Sequence, residues 1–169
     1  MKHVVLVGLS GSGKSTIGPT LAERLGRAFV DTDDLIVERV GMPIAQLFAQ
    51  RGEPAFRAIE RDAVAAAVDR EASVIATGGG APVDPGNRGK LWDGNLVVWL
   101  DAPLKVLVQR VGDAGHGRPL LRGGAAVRLA RLHSARAPIY QTANLRIRTE
   151  ITGVEGAICA ILDRLQDGA

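Results

Sequence analysis

Val4-Val5-Leu6-Val7-Gly8-Leu9-Ser10-Gly11-Ser12-Gly13-Lys14-Ser15-Thr16 decides the fold of this chain. A short continuous apolar run that ends in glycine is the mark of a central parallel strand, buried on both faces. Gly8-x-x-x-x-Gly13-Lys14-Ser15 then satisfies the full phosphate-loop pattern, in the strand–loop–helix setting that gives the pattern meaning. Glycines let successive backbone N–H groups turn inward on phosphate oxygens, and the dipole of the following helix adds partial positive charge. Gly11, Ser12, Gly13, Lys14, Ser15 and Thr16 form the predicted nucleotide cradle. Lys14 is placed to bridge the outer phosphates, and the Ser15 hydroxyl suits Mg2+. The competing reading, a plain glycine turn before a helix, does not account for Lys-Ser-Thr behind a strand.

Outward from this loop the chain alternates strands and helices. Lys14 to Leu25 has helical spacing (Ile17, Leu21, Leu25), and Gly26 is a fair C-terminal stop. "AFVDTD" reads as a second strand ending in acids, and "DDLIVERVG" as one short helix. "PIAQLFAQRGEPAFRAIERDAVAAAV" reads as two helices separated by a break at Gly52 to Pro54. "SVIATGGG" and "NLVVWLDAP" are the third and fourth strands, the latter followed by a helix from Pro103 to about Val111. "GDAGHGRPLLRGG" has no periodicity and reads as loop. A helix from about Ala125 to Tyr140, the short strand "LRIRT" and a closing helix complete the chain. Val154, Ile158, Ile161 and Leu165 mark one stripe of that last helix. The pattern predicts a five-stranded parallel sheet with helices on both faces, an α/β/α layering in one domain, residues 1–169. Ligands of such sheets collect beyond the carboxyl ends of the strands, and three strands deliver their unusual residues to that rim.

Composition fits this picture. Aromatic residues are only 4% of the chain, so the core must be built from Val, Leu, Ile and Ala. The single cysteine, Cys159, cannot form an internal disulfide and is predicted to be a core thiol. The formal charge of +3 comes from scattered residues, mostly arginine, with no basic run and no interleaved aromatics. That excludes the usual nucleic-acid footprint and suits small phosphorylated or carboxylated ligands. No signal pattern and no apolar run of membrane-spanning length is visible, so a cytoplasmic setting without membrane contact is expected.

Three groups lie near the predicted rim. Asp31 and Asp33 stand two residues apart, so in extended chain both point to one side. One could hold Mg2+ and the other accept a hydroxyl proton; capping of the next helix is the plainer alternative. The glycines Gly78, Gly79 and Gly80 either make a turn or bring backbone N–H groups to a ligand where side chains would collide. Arg57 has Glu60 one turn later to orient it, Arg136 opens "RAPIY", and Arg118 is fixed by Pro119 in the glycine-rich loop. Any one arginine is ordinarily a solvated group. Together they offer a fork for a carboxylate and a further positive charge for phosphates. His3, His116 and His133 have no metal-ligand spacing and are read as structural or solvated, and Trp99 as core.

"GLSGSGKSTIG", "DTD", "FRAIE", "TGGGA", "RPLL" and "RAPIY" follow the order and spacing of the shikimate kinases, and the chain resembles that family over nearly its whole length. The resemblance implies a P-loop kinase fold with an acceptor-binding helical insertion at about 32–70 and a mobile lid at about 112–124. It implies transfer of the γ-phosphoryl group of ATP to the 3-hydroxyl of shikimate, in aromatic amino-acid biosynthesis, with Mg2+ as cofactor. Asp33 would contact ring hydroxyls and act as base. Arg57 and Arg136 would clamp the carboxylate, with Gly79 and its neighbours lining the pocket. Arg118 would meet ATP from the lid, Arg110 would flank the adenine, and Asp31 would support the Mg2+ at Ser15. The family often has arginine or asparagine packing on adenine after the last strand; "TEITGVEG" has neither, which leaves backbone near Thr149 to Gly153. A monomer is expected. The rival readings are a kinase of this architecture acting on gluconate, a nucleoside monophosphate or another cyclic acid, and a non-catalytic nucleotide-binding module.

Overall fold

A computed structural model describes residues 2–113 and 124–167. Five strands form one sheet: β1 (Val4–Val7), β2 (Ala28–Asp31), β3 (Ser73–Ala76), β4 (Leu96–Asp101) and β5 (Leu145–Arg148). Their order is β2-β3-β1-β4-β5, and every pairing is parallel. Among the described residues seven helices cover it: α1 (Lys14–Leu25), α2 (Thr32–Val40), α3 (Ile44–Val68), α4 (Pro85–Trp92), α5 (Leu104–Asp113), α6 (Ala125–Tyr140) and α7 (Thr149–Gln166). None of the described helices is long and apolar enough to cross a membrane.

β1 explains the arrangement. All four of its residues are buried, because both edges are hydrogen-bonded and both faces covered. Side chains alternate between faces. Val5 and Val7 join Ile75, Val97 and Trp99 under α3 to α6, while Val4 and Leu6 join Val74, Val98 and Leu100 under α1 and α7. The chain leaves β1 for β2 in one direction and later returns to place β4 on the opposite side, so a crevice opens at the carboxyl end of β1. The phosphate-loop motif occupies that position.

The α2–α3 region stands apart. Ile36, Leu47, Phe56 and Ala63 form a third apolar cluster of their own. The break expected at Gly52 is present: its φ of 74° and ψ of 175° divide α3 into two helical segments. Gly26, left-handed at φ 61°, ends α1 as expected.

Three expectations need correction. β2 ends at Asp31, and α2 already begins at Thr32, so Asp31 and Asp33 do not share an extended segment. Cys159 is exposed. It lies one residue off the buried stripe of Ala157, Ile158 and Ile161, beside Arg24. Val154 is 41% exposed, because Gly153 (φ 64°) breaks α7 directly before it and the stripe packs only from Ala157 onward. Between β3 and β4 the chain forms a 3-10 turn (Ala81–Val83) and α4, whose last residue is Trp92. His3 is structural as expected: buried, with its ring accepting the Ser73 N–H at 3.1 Å. Arg118, His116 and nearly all of the segment read as a lid, residues 114–123, lie outside the described residues.

The packing of α1 on the sheet rests on Gly18, where any Cβ would overlap the Phe29 ring. Gly18→Val is predicted to destabilise the protein by about 1–3 kcal/mol through overpacking, read as a lower urea midpoint at unchanged slope.

Candidate active site

The phosphate loop is shaped by two close approaches. Gly8, at φ 145°, runs so near the Leu100 carbonyl that a side chain would collide with it. Further along, Ser12 is buried, and its N–H donates to Leu9 O at 3.2 Å, closing the loop. The Lys14 ammonium folds over the loop, donating to Gly8 O at 2.7 Å and Leu9 O at 3.1 Å. A cation held by the loop's own carbonyls stands directly over the cradle, where phosphate oxygens could replace one of them. Ser15 and Thr16 are exposed in the first turn of α1.

Asp31 caps α2, its Oδ1 accepting the Asp33 N–H at 2.9 Å. The capping alternative is therefore realised. It does not remove Asp31 from the rim, because the Lys14 charge still acts on the same carboxylate. Burial raises the Asp31 carboxyl above its usual range, and the charges of Asp33 and Asp34 push the same way, against the pull of the Asp33 N–H and Lys14. Asp33, in the first turn of α2, faces β3: its Oδ1 is 2.6 Å from where a Gly78 Cβ would stand. Thr32 binds the neighbouring backbone, its Oγ1 accepting the Gly78 N–H at 3.0 Å. Thr77 is tied to β1, with its N–H and hydroxyl both donating to Leu6 O.

Gly79 and Gly80 carry the next part of the rim. A Cβ on Gly80 would lie 2.8 Å from Arg57 Nη1 and 3.3 Å from Arg136 Nη2. On Gly79 it would lie 3.1 Å from Arg136 Nη1 and 3.2 Å from Gly8 O. Two guanidinium groups from different helices thus converge on a backbone stripped of side chains, beside the first glycine of the phosphate loop. Arg57 is held by Glu60 (Nη1 to Oε2, 2.8 Å) and by Glu53 (Nη2 to Oε1, 3.0 Å). Burial lowers the Arg57 pKa, but the Glu60 and Glu53 bonds outweigh it and hold the group above its usual range. Glu60 is 2% exposed, and burial raises its carboxyl in spite of Arg57 and Arg136. The groups bound a cavity of about 350 Å³ whose lining includes Glu53, Arg57, Gly80 and Arg136. That size suits a small molecule.

Arg110 lies on the other side of the loop. Its Nη1 donates to Gly11 O at 3.2 Å and to Thr149 Oγ1 at 3.0 Å, joining the phosphate loop to the start of α7. Of the candidate residues, Asp33 meets Gly78, Arg136 and Gly8 meet Gly79, Arg57 and Arg136 meet Gly80, and Arg110 meets Gly11; the cavity itself takes in Arg57, Gly80 and Arg136, and Arg118 lies outside the described residues. Sequence reasoning missed Glu53, Thr32 and Tyr140, and at Thr149 it pointed to backbone and not to the hydroxyl that accepts from Arg110. Glu53 was within reach of it, standing four residues before Arg57 on a helix.

A phosphate-binding loop at the switch point of a parallel sheet, facing a small cavity with a paired guanidinium wall, defines a P-loop small-molecule kinase. A family model described as shikimate kinase matches residues 10–166, and the chain belongs to the shikimate kinase family. It is 45% identical over 168 residues to a shikimate kinase of Symbiobacterium thermophilum, covering 98% of this chain and 97% of that one. A shikimate kinase of Moorella thermoacetica is 42% identical, over 94% of this chain and 90% of its own. Among solved structures, the shikimate kinase from Acinetobacter baumannii in complex with shikimate superposes with a TM-score of 0.93 at 34% identity, covering 99% of this chain and 94% of that one. A gluconokinase from Sinorhizobium meliloti 1021, at 23% identity and a TM-score of 0.61, shares the fold.

Glu60 offers a test of the site's electrostatics. A carboxyl whose pKa is raised on folding contributes stability that is present below its unfolded value, about 4.5. That contribution is lost as pH rises through the folded value. Wild-type stability minus that of Glu60→Gln is therefore expected to fall as pH rises from about 4 toward neutrality, measured by urea unfolding across a pH series. Asp31 is common to both proteins and cancels.

Proposed function

We propose that this chain transfers the γ-phosphoryl group of ATP to the 3-hydroxyl of shikimate, yielding shikimate 3-phosphate and ADP, a step in aromatic amino-acid biosynthesis. The observation that carries the reading is the meeting of Arg57 and Arg136 at Gly80, against the phosphate loop. A paired guanidinium seat selects a carboxylate, and its place beside Gly8 puts the acceptor next to the transferable phosphate. The shikimate bound in the Acinetobacter baumannii relative supports the same acceptor.

In this reading residues 11–16 wrap the phosphates and Lys14 neutralises charge on the outer ones. Arg57 and Arg136 bind the acceptor carboxylate, each charge-assisted bond contributing roughly 1.5–3 kcal/mol, while Gly78 to Gly80 let the ring approach the backbone. Asp33 orients the ring hydroxyls and takes the proton from the attacking one as the new O–P bond forms and ADP departs. Glu60, buried and bonded to Arg57, fixes the fork before the acceptor arrives, and such prior orientation contributes much of the rate. Arg110 flanks the adenine. Arg118, within a lid at about 112–124, supplies further positive charge to the phosphates, an effect worth up to about 10³–10⁵ in rate for arginine fingers.

Mg2+ fits the donor set. Ser15 Oγ is exposed at the start of α1, and Asp31 is a carboxylate that burial penalises and that a cation would relieve. One or two such oxygens completed by phosphates and waters are what this ion ordinarily takes. When bound it neutralises charge on the phosphate oxygens. The acceptor wall is the insertion at about 32–70, within one domain, 1–169, acting as a cytoplasmic monomer.

The test is ADP release from Mg-ATP with a panel of acceptors. Shikimate is expected to stimulate turnover strongly, and gluconate, quinate and nucleoside monophosphates are not; comparable turnover with gluconate would overturn the assignment. Lys14→Met and Asp33→Ala are predicted to lose nearly all turnover with the fold intact by circular dichroism. Arg136→Ala should weaken shikimate binding about 10- to 100-fold, the loss expected for a charge-assisted contact, at unchanged ATP affinity.

A further inference from the structure

Tyr140 is buried at 1% exposure, one helical turn after Arg136 on α6. Its ring packs on Trp99, with centroids 5.8 Å apart, and that contact needs no hydroxyl. The hydroxyl nevertheless reaches the rim, donating to Gly79 O at 2.5 Å. The Arg136 guanidinium stands beside it: a Cβ built on Gly79 would lie 3.1 Å from Arg136 Nη1 and 3.5 Å from the Tyr140 oxygen, so the two groups meet at one point of the backbone. Burial pushes the phenol up to about 12 despite that neighbouring cation, so it stays protonated and its donor remains committed to Gly79.

We propose that Tyr140 is a positioning residue for acceptor recognition, locking the Gly79 carbonyl and the Arg136 guanidinium into one fixed seat for the acceptor carboxylate. The Gly79–Gly80 peptide is planar and trans, so gripping its carbonyl also fixes the Gly80 N–H on the opposite side. Gly80 lines the cavity. One hydroxyl therefore orders two elements that meet the ligand, a guanidinium from α6 and a backbone donor after β3. Arginine carries substantial rotamer entropy, and a guanidinium already held in place loses less of it on binding. The inference rests on the reading of Arg136 as a carboxylate ligand.

Tyr140→Phe keeps the ring and removes only the hydroxyl. In the full-length protein, the shikimate KM and its calorimetric Kd are expected to rise about 5- to 20-fold, the effect of losing a hydrogen bond to a charged group. The ATP KM and kcat should stay within about twofold, because the transferring phosphate is not touched. In an Arg136→Ala background the same change should cost clearly less than in wild type, since only the part carried by the Gly80 N–H remains. A shikimate Kd unaltered in Tyr140→Phe, or an equal penalty in both backgrounds, overturns the proposal while leaving the kinase reading standing. Unaltered shikimate affinity in Arg136→Ala overturns the clamp itself. The chain holds one tyrosine, so 3-fluorotyrosine incorporated throughout reports on this site alone without removing the hydroxyl. Its 19F resonance should shift on adding shikimate to the wild-type protein and stay unmoved in Arg136→Ala; no shift in wild type counts against the proposal even if Tyr140→Phe fails to fold.

Discussion

The absence of side chains at Gly78, Gly79 and Gly80 is the constraint on which the acceptor side of this molecule depends. Asp33, Arg136 and Arg57 each place a polar atom 2.6–3.1 Å from where a Cβ of one of these residues would stand, too close for an ordinary contact. A single methyl group there would displace a carboxylate or a guanidinium. The strand end is held rigidly enough to serve as a template, because Thr77 is bonded to β1 and Gly78 to Thr32 at the head of α2. Three parallel strands thereby bring their carboxyl ends into register around one short stretch of backbone.

Crowding two guanidinium groups requires a counter-charge, and Glu60 provides it from inside. Burying a carboxylate is costly, and Glu60 carries that cost in its raised pKa; the bond to Arg57 offsets part of it. The second carboxylate on Arg57, Glu53, is 64% exposed and well screened by solvent. The fork thus has one permanent partner and one displaceable one. On the proposed function, an incoming carboxylate can take the place of Glu53 without stripping Arg57 of its internal support.

Most of the fold was legible because its signals were local. Continuous apolar runs marked the strands, and Gly26 and Gly52 marked a helix end and a helix break by needing positive φ. The phosphate loop was legible for the same reason. What escaped depended on contacts between distant segments or on a boundary of one residue. The sequence "DTDD" reads equally as the end of a strand or the start of a helix, and only the Asp31 cap decides that α2 begins at Thr32. Cys159 looks apolar by composition, yet it sits about 100° around the helix from Ile158 and so leaves the core. Tyr140 gave no signal beyond its place in "RAPIY", because its partner, Gly79, lies sixty-one residues away in the chain.

The third apolar cluster, confined to α2 and α3, has a consequence for how such enzymes diversify. The catalytic phosphate chemistry is anchored in the sheet, whereas Arg57 and Glu60 ride on a lobe with an interior of its own. On the proposed reading of Arg57 as an acceptor ligand, mutations that reshape that lobe's interior can move the recognition surface while the nucleotide machinery keeps its footing. Changes of acceptor preference in this architecture can therefore accumulate gradually in one appendage, without passing through ancestors that have lost the ability to handle a nucleotide.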